Sequence, residues 1–192
     1  MTDKAFDFTG YPNLSGTPAA SPIGSFTRPF NGQGGTITGI ELATSVPLNL
    51  LTPVLDGFGV SLSYSDTDSK VKPFGDGDTR PLPGLSRRVA TLTAYYEKHG
   101  FQARVATRNR SKFIAEIEGF GADREYKYAD AETVTDLQLG YEIQSGPAKG
   151  LNFLLQVNNV TNEPYRELDA NGSETKLDKY GRTMLFGVTY KF

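Results

Sequence analysis

The segment FGVTYKF, residues 186–192, decides the fold class, because apolar or aromatic side chains occupy every second position of it. The residues between them, Gly187, Thr189 and Lys191, are small or polar. A period of two is typical of a β-strand with one apolar face. An aromatic ring at a chain end is unusual, since chain ends normally fray into water. We therefore predict an ordered strand whose apolar face is Met184, Phe186, Val188, Tyr190 and Phe192.

The same alternation recurs in six earlier stretches, so that the chain contains about seven predicted strands. The clearest is GFGVSLSYSDTDSKV, in which apolar residues alternate with glycine and serine from Phe58 to Ser65. Each predicted strand has one apolar and one polar face, and each is longer than the usual five or six residues. The six stretches are residues 34–48, 57–71, 85–98, 100–111, 133–143 and 150–160.

The composition argues against several classes of function. The net charge is -2, from 20 basic and 22 acidic residues, which disfavours nucleic-acid binding. The absence of cysteine excludes a thiolate nucleophile and a cysteine-ligated zinc. The single histidine, His99, lies in a predicted tight turn without an arranged nucleophile, so we expect no enzyme and no catalytic residue.

No cofactor or metal site is predicted. Asp66, Asp68, Asp76 and Asp78 lie in one acidic region, but basic residues stand where a calcium loop requires oxygen ligands. NGQGG at residues 31–35 lacks the Lys-Ser/Thr pair of a phosphate-binding loop. The chain also lacks a run of about 18 apolar residues, so we predict no transmembrane helix.

The predicted connections alternate between long and short. After the first, they cover about residues 72–85, 99–100, 113–131, 145–150 and 159–180. Long strands, short turns at one rim and long loops at the other are typical of a transmembrane β-barrel. An antiparallel β-sandwich with one face on a core would show similar alternation. Charged residues on the non-apolar face of strands four and five favour the barrel, because that face would line a wet lumen.

Five stretches of this sequence resemble the C-terminal barrel part of TonB-dependent outer-membrane receptors. The most specific are QVNNVTNEPY, similar to the family's penultimate-strand motif, and YGRTMLFGVTYKF, similar to its outer-membrane insertion signal. In that signal, Phe186, Gly187, Val188, Tyr190 and Phe192 occupy the matching positions. The other stretches are GGTITGIELATSVPLNLL, LDGFGVSLSYSDTDS and LPGLSRRVATLTAYYEKHGFQARVATRNRSKF, and the resemblance covers nearly all of residues 29–192.

This resemblance implies an all-β antiparallel fold, the last seven or so strands of a barrel of about 22 strands. It implies a location in the Gram-negative cell outer membrane and contact with outer-membrane lipid. The barrel-assembly machinery would read the terminal strand, with Phe192 facing lipid near the periplasmic interface. In the intact receptor, a TonB energy-coupling protein would act through a plug domain to release a small solute inward.

The chain departs from the family in having no plug-like segment and too few strands. Seven strands in lipid would leave two unpaired edges, at a cost of tens of kcal/mol, with several kcal/mol for each of about twenty unpaired groups. We therefore expect a fragment of a longer exported parent chain. Residues 1–33, rich in Pro, Gly, Ser and Thr, would be the remnant of a long extracellular loop, and residues 34–192 would be the barrel strands.

Two groups of residues are candidates for contact with the solute. Phe120, Tyr126 and Tyr128 lie among charged residues in a predicted long loop, and such rings suit stacking on a sugar or a flat chelate. Packing of the loop is the alternative role for them. Arg104 and Arg108 lie on the predicted lumen face, where they would line the solute path or form a network of ion pairs.

Two functions of different classes follow from these observations. The first is a receptor for active uptake of a scarce solute, and the resemblance favours an oligosaccharide over a siderophore. The second is a soluble carbohydrate-binding β-sandwich. The first predicts that the protein partitions into detergent, whereas the second predicts a soluble monomer.

Overall fold

The computed structural model describes the backbone of residues 2–7, 23–28, 31–73, 79–120 and 123–191, and the side chains of 31–73, 79–117 and 125–191. The described chain is almost entirely antiparallel β-structure, with two short 3-10 helices at Leu48–Leu50 and Pro53–Leu55. Its strands are β1 Thr2–Asp7, β2 Ile23–Arg28, β3 Gly35–Pro47, β4 Phe58–Val71, β5 Arg88–Lys98, β6 Phe101–Arg110, β7 Phe113–Phe120, β8 Asp123–Ala129, β9 Glu132–Glu142, β10 Leu151–Asn158, β11 Tyr165–Leu168, β12 Glu174–Asp178 and β13 Thr183–Tyr190. Among the described helical segments, none has the length and apolar character needed to cross a membrane.

Seven of these strands form one continuous sheet, which we call the wall. Its order is β13-β10-β9-β6-β5-β4-β3, and every neighbouring pair is antiparallel. These are the seven predicted strands, with boundaries shifted by a few residues. The predicted antiparallel fold class is therefore confirmed, although the wall does not close into a barrel within the described residues.

The register of the wall collects the predicted apolar residues on one face, which we call the outer face. Leu62 lies opposite Leu92, Val105 lies opposite Leu137, and Leu155 lies opposite Phe186. These side chains are largely exposed, with Leu92 at 51% and Phe186 at 71%. No described part of the chain covers this face, so it is not the core of a sandwich.

The outer face has an apolar band bounded at one end by aromatic rings. Phe58 and Tyr96 have ring centroids 4.6 Å apart, and Tyr96 and Phe101 have centroids 6.0 Å apart. From Phe58 to Tyr64 the band spans about 20 Å at the usual rise of a strand. Above Tyr64, the same face of β4 continues with Asp66, Asp68 and Lys70. An apolar band of roughly this height with an aromatic girdle is typical of the outer surface of a transmembrane barrel.

The two rims of the wall differ as predicted. The tight turn between β5 and β6 consists of His99 and Gly100, both with positive φ, as a two-residue hairpin turn of mirror-image type requires. The opposite rim carries the long connections. The predicted long connections at residues 113–131 and 159–180 lie at this rim, and each contains a β-hairpin that was not predicted. Alternating β-branched, aromatic and charged residues, as in FIAEIEGF, allow them to pair.

These two hairpins combine into a second sheet, which we call the loop sheet. Its order is β12-β11-β8-β7, and β8 and β11 join the two hairpins. The most buried apolar residues lie mainly at its base. Ile114 and Ala129 are at most 5% exposed, and the Ile114 carbonyl accepts a hydrogen bond from the Gly84 amide. The core of the described chain therefore sits mainly at the rim of long connections.

Residues 1–33, predicted as a long loop, contain the antiparallel pair β1–β2. Residues 8–22 and 29–30 lie outside the described part of the chain. The division into an extracellular loop remnant and barrel strands stays a prediction.

Candidate functional site

The polar face of the wall, opposite the outer face, carries the predicted arginines. On β6, Arg104 lies opposite Gln138 and Arg108 lies opposite Val134 of β9. Arg110 lies opposite Glu132. The alternation of β6 places all three guanidinium groups on the same face of the sheet.

Ion pairs hold these arginines. Arg110 Nε lies 2.9 Å from Glu132 Oε1, and Arg108 reaches the same oxygen at 3.6 Å. Arg104 lies 3.9 Å from Glu97 Oε1, with both side chains more than half exposed. Exposed pairs of this kind contribute little to stability. The geometry therefore supports ion pairs along β6, and contact of Arg104 and Arg108 with a solute stays a prediction.

The polar face of β3, β4 and β5 is different, because small and hydroxyl-bearing residues dominate it. Ser45 and Ser61 share a hydrogen bond of 2.8 Å, and the Tyr95 ring lies over Gly59. A shallow groove of about 390 Å³ runs along this part of the sheet. Its lining residues are Ala43, Thr44, Ser45, Ser61, Leu62, Ser63, Thr91 and Thr93.

The predicted loop tyrosines lie on β8 of the loop sheet, away from the wall arginines. The Arg80 guanidinium lies 4.3 Å from the centre of the Tyr126 ring, and Lys112 Nζ lies 4.5 Å from that of Tyr128. Both rings are half-buried. These contacts give them a packing role and leave contact with a solute as a prediction. Phe120 ends β7 opposite Asp123, and its side chain lies outside the described part of the chain.

The second hairpin, β11–β12, and the connection that follows it contain aromatic residues that the sequence prediction missed. The Tyr165 hydroxyl donates to Glu167 Oε1 at 3.1 Å, and burial raises the pKa of Tyr165. The Tyr180 hydroxyl donates to Asp178 Oδ2 at 3.1 Å, although its side chain is 75% exposed. The sequence did contain a signal for this hairpin. Apolar or aromatic and charged side chains alternate in YREL and in ETKLD, which lie on either side of a turn.

Asn159, in the motif QVNNVTNEPY, ties the second hairpin to the wall. Its backbone amide donates to Asp136 Oδ1 at 2.8 Å, and its own φ is +54°. Its side-chain Nδ2 donates hydrogen bonds to the carbonyls of Glu163 and Gly181, at 2.9 and 3.3 Å. Its side-chain Oδ1 accepts a hydrogen bond from the Glu163 backbone amide. Asp136, on the polar face of β9, is therefore an anchor for the long connection.

The predicted insertion-signal residues follow the alternation of β13. Phe186, Val188 and Tyr190 lie on the outer face and are at least half exposed. Gly187 lies on the polar face opposite Leu154. Phe192 is outside the described part of the chain. Within the described residues, no group of three or more His, Asp or Glu could hold a metal ion.

Wall, girdle and long paired connections define a β-barrel protein of the outer membrane. Residues 4–160 match the family described as TonB dependent receptor-like, beta-barrel, and the chain belongs to this family. Its members are receptors and transporters of the Gram-negative outer membrane rather than enzymes. Comparisons with curated proteins and with solved structures gave no significant match.

Proposed function

We propose that the protein takes up a neutral oligosaccharide across the outer membrane, in preference to a ferric siderophore. The observation that carries this proposal is the surface of the loop sheet and of the connection that follows β12, where tyrosines stand beside carboxylates. Tyr180 is largely exposed and bonded to Asp178, and Tyr165 is bonded to Glu167. Aromatic rings pack against the apolar faces of sugars, while carboxylates accept hydrogen bonds from sugar hydroxyls.

The wall would contact outer-membrane lipid through its outer face. Exposed leucines and phenylalanines would be unfavourable in water but match the hydrocarbon of a bilayer. Lipid would also require both wall edges, β3 and β13, to find partners, since unpaired backbone groups are costly there. We therefore propose that further strands of a longer exported parent chain close the barrel around a plug. A TonB protein would supply the energy for uptake.

Barrel assembly is a separate part of the proposal. The apolar residues of β13 form a continuous outward row at the edge of the wall. We propose that the barrel-assembly machinery recognises this row together with Phe192. The soluble sandwich is disfavoured because the apolar face that would be its core is exposed.

Growth of a deletion strain tests the choice of solute. We expect deletion of the gene to abolish growth on one class of neutral oligosaccharide supplied at low concentration as the sole carbon source. Growth on the corresponding monosaccharide is the control, since it enters by other routes. A defect that appears only under iron limitation, and is relieved by free iron salts, would instead identify a siderophore receptor.

A further inference from the structure

A polar cleft of about 340 Å³ lies within the loop sheet, between its two hairpins. The hairpins pair only at Ala129 with Glu167 and at Tyr128 with Leu168. Beyond these pairs β8 and the β11–β12 turn separate, and the gap between them is the cleft. It is lined by Glu125, Tyr126, Lys127, Asp169, Ala170 and Asn171, together with Thr175.

The floor of the cleft is held in place by local hydrogen bonds. Asp169 Oδ1 accepts hydrogen bonds from the amides of Asn171 and Ser173, both at 2.8 Å. Glu167 pairs with Lys176 and Leu168 pairs with Glu174, so that Thr175 is the extra residue of a β-bulge in β12. The Thr175 hydroxyl donates a hydrogen bond of 3.2 Å to the Glu167 carbonyl. Bulges often re-aim a side chain beside a binding site.

The chemistry of the lining selects for an uncharged, hydroxyl-rich solute. Two carboxylates, Glu125 and Asp169, are balanced by the Lys127 ammonium of the lining and by the Arg80 guanidinium, which lies 4.3 Å from the centre of the Tyr126 ring. The described charges therefore leave no net positive charge that would favour an anionic chelate or phosphate. Carboxylate, amide and hydroxyl groups around the half-buried Tyr126 ring match the alternating hydroxyls and apolar face of a sugar.

We infer that this cleft binds the end of a neutral oligosaccharide outside the barrel, before the solute enters the lumen. The inference rests on the proposed function and names the site on which that function depends. The cleft volume is near the lower end of the range for small-molecule sites, about 300–1,000 Å³. It therefore accommodates a chain end rather than a whole oligosaccharide.

Binding by the full-length protein in detergent tests the cleft. The probes are an array of neutral oligosaccharides and, as the anionic comparison, ferric citrate. Ala170→Trp fills the cleft from an exposed turn position, and we expect it to weaken binding of the best neutral glycan more than about tenfold. Asn171→Ala removes one amide and should weaken it about three- to tenfold. Ser145→Ala, at an exposed position in the turn between β9 and β10 at the opposite rim, should bind as the wild type does.

Site-directed labelling gives a second readout that does not depend on affinity. Because the chain contains no cysteine, Asn171→Cys introduces a single thiol at the cleft and Ser145→Cys introduces one at the opposite rim. A saturating concentration of the best neutral glycan should slow maleimide labelling of Asn171→Cys only.

The outcomes separate the two proposals. Glycan binding that Ala170→Trp leaves unchanged, without protection of Asn171→Cys, would overturn the cleft assignment while carbohydrate uptake stands. Binding of ferric citrate with no binding of any neutral glycan would overturn both. Absence of binding to every probe by folded protein, as judged from its β-rich circular dichroism, would also contradict both.

Discussion

The wall and the loop sheet are both antiparallel, yet they place their apolar residues in opposite ways. The wall exposes leucines such as Leu62 and Leu92 on its outer face, whereas the loop sheet buries Ile114 and Ala129 at its base. The different solvents that we propose for the two regions account for this contrast. A wall in lipid needs no internal core on that side, while a sheet in water must cover its own apolar groups. Four predictions test this comparison.

The largest effect is expected from a charge on the outer face of the wall. Leu92→Arg places a guanidinium near the middle of the apolar band and should reduce the free energy of unfolding in phospholipid vesicles by about 2–4 kcal/mol. Leu177→Arg is the matched control, because Leu177 is also exposed but lies in the loop sheet. Its effect should be within about 0.5 kcal/mol. Urea titration in vesicles measures both, and equal losses would show that the outer face does not contact lipid.

The second effect concerns close packing on the polar face. A Cβ at Gly59 would meet the Tyr95 ring, so Gly59→Ala should destabilise the wall by about 1–3 kcal/mol. Gly140→Ala is the control, because its nearest neighbour, Gln102 Cβ, lies at an ordinary 3.5 Å. In a double-mutant cycle, adding Tyr95→Ala to Gly59→Ala should recover most of the stability that the contact with the Tyr95 ring costs. Strict additivity of the two changes would exclude the contact as the cause.

The third effect concerns the junction between the two regions. Asn159→Gly keeps the positive φ but removes the side-chain bonds to Glu163 and Gly181, at a cost of about 1–2 kcal/mol. Asn162→Gly is the matched control, since Asn162 also has positive φ, of +59°. It should be nearly neutral. Urea titration of both variants measures the costs, and similar losses would mean that backbone geometry alone matters at Asn159.

The smallest effect is an alkaline loosening of the loop sheet. Burial raises the pKa of Tyr165, and the hydrogen bond to Asp178 raises the pKa of Lys176. Each group binds its proton more tightly in the folded chain than in the unfolded chain. Its contribution to the stability of the fold is therefore complete below its ordinary pKa, about 10. The contribution is lost as the pH rises through the raised pKa.

Limited proteolysis between pH 9 and 11.5 should therefore show slightly faster cleavage within residues 165–178 at the upper end. Tyr165→Phe has no phenolic proton to lose and should weaken this dependence. Peptides from β4 provide the internal control. Loosening of the wall at the same pH would contradict a difference between the two regions.

Much of the wall could be predicted from the sequence, because a period of two is a local property of each strand. The alternation from Phe58 to Tyr64 indicated both a strand and its apolar face. Strand order was also accessible, since antiparallel neighbours joined by short turns are adjacent. The predicted rim turn at His99 and Gly100 is present for the same reason.

The candidate site was less predictable. Tyr126 and Tyr128 were found as aromatic residues in a long connection, but the cations over their rings come from distant segments. The hairpin β11–β12 was missed because its strands are only four and five residues long. Short strands give little periodicity to recognise.

The order of the amino acids alone established the alternation of apolar and polar side chains along each wall strand, the absence of cysteine chemistry and the family resemblance. Each depends on residue identity and near-neighbour spacing. Three features depend on the tertiary structure. They are the pairing of β8 with β11, the cleft beyond that pairing and the hydrogen bond that anchors Asn159 to Asp136. These features join residues more than twenty positions apart, and their geometry is set by how two hairpins meet above the wall, which no local pattern encodes.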